Sequence, residues 1–402
     1  MNTVLFLSPR FPWPLIGGDR VKAFHLLRLL ADNNRVIAVV FNQSADLPAE
    51  YIQAITRLGV ELHVVRLNPL TAGIGCIRSL WTSLPLEIAY YTRDSFNVVV
   101  DNILRQESIT DIVSFFMRTS EYVRHTTGPR KILVAEDCRT LYQTRSADAT
   151  GSLLQRLVRW WEVRKLSGYE ASVMTDYDAV TFVSTTDLEA ARNLNPKGRY
   201  HIVTNGVDLQ RFPFQAQQAH RMNIVFVGKL DVEANHIMAM HILTDIMPLV
   251  WNQEPQVEMH FVGANPKKEL LNRIRGTGAK VFANVSDTVP YLHQSAVFLH
   301  PHRGGSGIQN KLLEAMATGC PVVTTPSGLQ GINAQHGQHC LVGTTPSELA
   351  AHTVQLLASA EQRANLARNA YEVIQQDHNW DRIGKQLGQL LTHEPRLTSA
   401  VQ

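Results

Sequence analysis

Lys311 and Glu314 stand three residues apart in GGSGIQNKLLEAMATGCPVV (residues 304–323), behind a turn that holds Gly304, Gly305 and Gly307. Glycines let a backbone approach a ligand closely or take positive φ. Ser306 and Gln309 have capping-box spacing, so a helix is predicted to begin at Ser306. Its amide groups and the positive end of its dipole would face the same anion. On that helix Lys311 and Glu314 share a face: the ammonium can reach a phosphate and the carboxylate can accept from ribose hydroxyls. The plainer alternative is a solvated ion pair worth about 0.2–0.5 kcal/mol.

The elements that must position these groups can be read on either side. Ala296–His300 is a buried strand, and Leu312, Leu313, Ala315 and Met316 form the inward face of the helix. Gly319 and Pro321 stop it. Asn223–Gly228 is another buried strand, and Lys229 follows it directly. In open parallel sheets ligands collect at the carboxyl ends of strands, so Lys229 is a candidate on the ligand side.

The first half alternates strands (Thr3–Ser8, Arg35–Phe41, Val60–Arg66, Asp111–Phe116, Lys131–Glu136, Ala179–Ser184, Tyr200–Thr204) with helices near 20–31, 48–58 and 95–106. That pattern predicts a parallel sheet covered on both faces. Gly17-Gly18 precedes the first helix and offers backbone amides to an anion, or simply eases a turn. Arg118, Glu136 and Asp137 lie just past strands. Asp137 is the candidate catalytic carboxylate on this side; the alternative is that Glu136 and Asp137 form a loop pair or cap the next helix.

Residues 151–175 form a long helix candidate with an apolar stripe (Leu153, Leu154, Leu157, Val158, Trp161, Leu166) and a basic one (Arg156, Arg159, Arg164, Lys165). Such a helix either packs in a core with a solvated charged face or lies on an anionic membrane. Asn205-Gly206 is a turn signal, and residues 214–221 read as polar linker.

With 402 residues, 45% hydrophobic and 18% charged, the chain suits two or three globular domains. A net charge of +3 gives no case for nucleic acid. The four cysteines are widely separated, with no metal-type spacing. His236 and His241 are five apart and do not share a helix face, so no metal site is expected there. The start lacks the basic residues and length of a signal peptide, and no apolar run reaches about 18 residues. A cytoplasmic protein is expected, peripheral at the inner face of the plasma membrane if it meets a membrane at all.

The segment GGSGIQNKLLEAMATGCPVVTTPSGLQGI resembles the nucleotide-sugar site of GT-B glycosyltransferases of the group 1, retaining type, in particular the bacterial polysaccharide branch with a GSGIQNK and LEAMA signature. The resemblance implies two Rossmann-like domains whose parallel sheets face each other across a cleft. It implies an acceptor domain over 1–205, a hinge over 206–221 carrying an NGVD-xx-RF motif, and a donor domain over 222–376. A helix over 377–392 would cross back to the first domain, and the tail 393–402 is expected to be disordered. It further implies that Lys311 and Lys229 bind the donor diphosphate and Glu314 the ribose. Gly304, Gly305, Ser306, Gly307, Asn310 and Asn235 would line the donor, and Gly17 and Gly18 would face its phosphates. The loop 285–289 would stack on the base. Two departures stand out: Ser306 stands where many relatives carry a glutamate, which the branch named commonly lacks too, and Asn235 replaces a second basic residue, as it does in that branch.

The expected function is therefore transfer of a sugar, with retention, from a uridine or guanosine diphosphate sugar to a glycan or lipid-linked acceptor. No cofactor and no metal are expected, since lysines and helix amides can meet the diphosphate charge and no paired aspartates lie at a strand end. Membrane contact, if made, is expected through 151–175. Two alternatives stay open: a nucleotide-sugar epimerase of the same fold, and a non-catalytic nucleotide-sugar-binding subunit. The resemblance is strong over 200–343 and weak over 76–145.

Overall fold

A computed structural model describes residues 2–44, 46–147, 153–217, 221–304 and 307–392. Gly305, Ser306, Gly151 and the tail from His393 lie outside the described residues, as do the side chains of 153–159.

The chain divides into two compact units, one of residues 1–204 with 383–402, the other Asn205–Arg382. The first is built on seven parallel strands: β1 (Thr3–Ser8), β2 (Arg35–Asn42), β3 (Glu61–Arg66), β4 (Asp111–Phe115), β5 (Arg130–Glu136), β6 (Ala179–Phe182) and β7 (Tyr200–Ile202), in the order β3-β2-β1-β4-β5-β6-β7. The central strands are buried on both faces, which is why they read as unbroken apolar runs such as TVLFLS. Helices cover both faces. The last helix, Trp380–Thr392, sends Leu387 and Leu391 into the first unit's core, and Gly384 lets it close on Leu29.

The second unit holds six parallel strands: β8 (Asn223–Val227), β9 (Met259–Gly263), β10 (Ala279–Ala283), β11 (Ser295–His300), β12 (Val322–Thr324) and β13 (Leu341–Val342), ordered β10-β9-β8-β11-β12-β13. Each sheet reverses its strand order next to its first strand, between β1 and β4 and between β8 and β11. Ligands of such sheets lie at these points.

Several elements were not anticipated. Helices Pro69–Ser79, Leu86–Tyr91 and Arg139–Ala147 fill the stretch with least motif, and Val289–Gln294 is a helix. The helix predicted from Ser306 starts at Asn310. Gly307 at φ 76° and Gln309 at ψ 90° are incompatible with a helical turn there, so the glycine turn runs four residues further than the capping spacing suggested. Gly319, at φ 77°, terminates the helix as expected.

Candidate functional site

The second unit gathers most of the sequence candidates at the carboxyl ends of β8 and β11. After β8 come Gly228 and Lys229. After β11 come Gly304, at φ 151°, Gly307, and the helix Asn310–Ala317. That helix buries Leu312, Leu313, Ala315 and Met316 against the sheet, which fixes Lys311 and Glu314 on the opposite side. Gln309 precedes it without a side-chain cap bond, so no side chain of the N-cap competes for its first amides.

Asn235 ties the two ends together. It is buried, its Nδ2 donates to the Lys229 carbonyl at 2.8 Å, and its Oδ1 accepts from Lys311 Nζ at 2.6 Å. The replacement for a second cation is thus a neutral clamp on the first. Lys311 and Glu314 form no ion pair among the described residues, which removes the plain salt-bridge reading of their spacing. Lys229 is half-exposed, 3.5 Å from Asp231. Asn310 Oδ1 accepts from Asn205 Nδ2 at 2.8 Å, and the Asn205 carbonyl accepts from His378 Nδ1 at 2.8 Å. The NGVD motif is thereby fastened both to the site helix and to the approach of the last helix.

Two glycines make the floor. A Cβ on Gly263, at φ 148°, would lie 1.8 Å from the Gly228 carbonyl oxygen. A Cβ on Gly228 would lie 3.1 Å from Asn235 Nδ2 and 3.2 Å from Lys311 Cε. Backbone therefore meets backbone where a bulky ligand group would need room.

Burial tunes the charged pair in opposite directions. Desolvation lowers Lys311 to about 8, opposed by the nearby Glu314 carboxylate. Desolvation raises Glu314 to about 7, opposed by Arg211 and Lys311. The ammonium form is present below about 8 and the carboxylate form above about 7. Any ligand binding that needs both charged forms should follow a bell-shaped pH dependence with limbs near these values. Glu314→Gln should remove the acid limb; an unchanged acid limb in that variant would refute the assignment.

Arg211 and His300 were missed in the sequence. Arg211 lay inside a motif taken as a hinge, yet its charge acts on Glu314. His300 ends β11, is fully buried, and is stacked between Phe226 at 6.1 Å and His302 at 5.7 Å. Burial holds both imidazoles neutral, His302 at about 4. They add bulk behind Lys311 without a second charge. Arg303 places Nη2 2.8 Å from His241 Nε2, and His241 Nδ1 is 2.5 Å from Asp245, where the helix widens to a π turn over Ile242–Ile246. His236 instead meets Glu269 at 3.0 Å.

The first unit holds the remaining candidates. Gly17 takes φ 94° and Gly18 opens the helix Gly18–Ala31. Glu136, at φ 73°, ion-pairs with the buried Lys22 at 2.6 Å. Burial lowers the lysine and raises the carboxyl, each opposed by the other's charge. Lys22 Nζ also donates to the Val203 carbonyl at 3.0 Å. Lys22 went unnoticed because it occurs on a helix face that otherwise reads as core. Asp137 lies 3.4 Å from Arg139, and Glu87 bridges Arg139 and Arg118 at 2.9 and 2.6 Å. Phe116, at φ 61°, supports this array from the end of β4. Two non-glycine residues with positive φ at neighbouring strand ends are the kind of strain that persists where a site is being shaped.

Two parallel-sheet α/β units with these switch-point sites define the GT-B fold. Residues 221–359 match the family model described as "Glycosyl transferases group 1". A Klebsiella pneumoniae protein described as an uncharacterized 44.6 kDa protein in cps region is 19% identical over 404 residues, spanning 95% of this chain and 98% of that one. The solved structure of HepE from Anabaena in complex with UDP covers 98% of this chain and all of its own, at TM-score 0.68 and 16% identity. Sucrose-phosphate synthase from Thermosynechococcus elongatus aligns over 97% of this chain and 98% of its own, at TM-score 0.70 and 17% identity.

Proposed function

We propose that the protein is a retaining glycosyltransferase that takes a sugar from a nucleoside diphosphate sugar, with uridine diphosphate as the leaving group, and delivers it to a glycan or lipid-linked acceptor in surface polysaccharide synthesis. The observation that carries this is the half-buried Lys311 ammonium, held by Asn235 at the start of a helix beside the Gly228–Gly263 floor. The UDP in HepE and the cps-region relative support the donor and the setting.

In this reading the diphosphate lies against the amides that open the Asn310–Ala317 helix. Lys311 and Lys229 neutralise the charge that grows as the anomeric C–O bond breaks, and Glu314 accepts from the ribose hydroxyls. Gly304, Gly307 and Asn310 line the donor, and Asn235 keeps Lys311 aimed. In the first unit, Gly17 and Gly18 are the candidate anion donors and Asp137 the candidate carboxylate for the acceptor. The acceptor hydroxyl gives its proton to the departing phosphate. The two lysines take the part that a divalent ion plays elsewhere, so chelation with EDTA should leave the rate unchanged.

Incubation with a panel of nucleoside diphosphate sugars and a lipid-linked glycan acceptor tests the reading. Acceptor-dependent release of nucleotide with the anomeric configuration kept supports it. Epimerised sugar without an acceptor would mean an epimerase, and binding without turnover a supporting subunit.

Membrane contact is part of the proposal, through a wider face than residues 151–175. Leu70, Ile74, Ile77 and Trp81 recur at helical spacing along and just beyond the Pro69–Ser79 helix and are 80%, 53%, 59% and 81% exposed. Trp160, at 62%, is covered by the Arg164 guanidinium, and Lys165 lies over Trp161 and donates to the Ser79 carbonyl. Leu166 is buried, so the long helix Leu153–Val173 uses that part of its stripe as core. Exposed tryptophan and leucine beside arginine suit the headgroup region of an anionic bilayer. No helix among the described residues is long and apolar enough to cross one. The variant L70S/I74S/W81S should sediment several-fold less with phosphatidylglycerol vesicles while keeping its melting temperature; equal sedimentation would remove this face from the proposal.

A further inference from the structure

We infer that a groove along the exposed side of the helix Leu153–Val173, in the first unit, binds an acidic sugar residue of a glycan chain. The groove holds about 650 Å³, within the range of small-molecule sites. Trp160, Trp161, Arg164 and Gly168 line it from the helix, with Tyr169 and Glu121 beside them. Trp160, Arg164 and Gly168 follow one another at intervals of four residues and so form one row along the helix. Gly168 is the low point of that row. A Cβ there would meet no atom within 4 Å, so a larger side chain would project into the open groove. Glycine inside a helix weakens it relative to alanine, and here no neighbouring atom requires it.

The lining supplies both partners that a charged pyranose needs. The ring faces of a sugar are patches of C–H bonds that pack on aromatic side chains, and Trp160 is 62% exposed. The carboxylate of an acidic sugar suits a guanidinium, which can grip two oxygens at once. The Arg164 guanidinium carbon lies 5.8 Å from the centre of the Trp160 ring, so one turn of helix presents the stacking surface and the charge together. Glu121 Oε1 accepts from Tyr169 Oη at 2.7 Å and from Arg124 Nη1 at 3.0 Å, which fixes it as an acceptor for sugar hydroxyls. A carboxylate in the wall disfavours a lipid phosphate and suits a ligand rich in hydroxyls.

The acids of the helix are engaged elsewhere. Glu162 Oε1 accepts from the Leu86 amide. Glu170 is fully buried, and its two oxygens accept from the Arg139 and Thr140 amides at 2.9 and 2.8 Å. The sequence just before the groove, LLQRLVR over 153–159, adds two arginines and no acid. Of the cations in the lining, Arg124 is held by Glu121 and Asp176, and Lys165 donates to the Ser79 carbonyl at 2.8 Å. Arg164 is therefore the charge that an acidic ligand would meet. Ser83 and Leu84 complete the wall, so a glycan held here would lie beside the exposed face assigned above to a bilayer.

Calorimetric titration of the full chain with trigalacturonate, and with maltotriose as the neutral control, tests the groove without any turnover. Saturable binding of trigalacturonate is expected, with no competition from UDP. It should weaken about tenfold or more in R164Q, which loses a charge-assisted bond. It should vanish in G168Q, whose side chain fills the groove. Glutamine is the better helix former, so G168Q should melt no lower than the parent chain, and unfolding cannot imitate the loss. No saturable binding by the parent, equal affinity for the two trisaccharides, equal affinity in G168Q, or competition by UDP would each overturn the inference. So would a G168Q variant that keeps trigalacturonate but no longer sediments with phosphatidylglycerol vesicles, which would give the groove to the bilayer.

Discussion

The Lys311→Ala variant is expected to lose about 10²–10³ in kcat with each active donor, the usual effect of removing one positioned donor from a developing anion. Its melting temperature should stay close to that of the parent chain. Burial already holds this ammonium at about 8, so the folded protein bears a desolvation cost at this position that alanine relieves. Asn235 Oδ1 loses its partner but keeps its side chain fixed through the bond from Nδ2 to the Lys229 carbonyl. Initial rates and thermal melts on the same preparations decide the matter. A rate loss matched by a collapse in melting temperature would make Lys311 a structural residue and would withdraw its assigned role.

Gly263→Ala should have the largest effect on stability. The new methyl would sit 1.8 Å from the Gly228 carbonyl oxygen, and φ 148° is unfavourable for any residue with a Cβ. Both objects in collision are backbone, so no side-chain rotation relieves the clash, and β8 and β9 must part at their carboxyl ends. A loss of about 3 kcal/mol or more is expected, in the range reserved for backbone strain and overpacking. Gly228→Ala is the contrast. Its methyl meets only the ends of Asn235 and Lys311, at 3.1 and 3.2 Å, which can give way. It should melt near the parent temperature yet bind donor weakly. Denaturant unfolding of the two variants side by side checks this; similar midpoints would show that the sheet edge tolerates what the geometry forbids.

The alternation of apolar runs and helical segments made the parallel sheets legible, because strands buried on both faces cannot hide their composition. The second unit was the clearer one. Its site follows from local spacing: strand, glycine turn, helix, with Lys311 and Glu314 on one face. The offset of the helix start to Asn310 came from Gly307, whose left-handed backbone no capping pattern announces. Partnerships across long sequence distances were not readable. Asn235 binding Lys311, Asn205 binding Asn310 and Lys22 binding Glu136 each depend on how strands are ordered in a sheet, and single residues of these types recur throughout the chain. The helices over Pro69–Ser79 and Leu86–Tyr91 escaped for a different reason. Much of the first one's apolar face looks outward, so the rule that hydrophobic spacing marks a core gives no signal there.

Because the resting ammonium of Lys311 is lodged against an amide dipole, handing it to a phosphate breaks no ionic bond. The exchange swaps a weak host for a strong one, with no carboxylate left stranded in its place. Under the proposed function, capture of a nucleotide and its later discharge would then need no rupture of an internal ion pair.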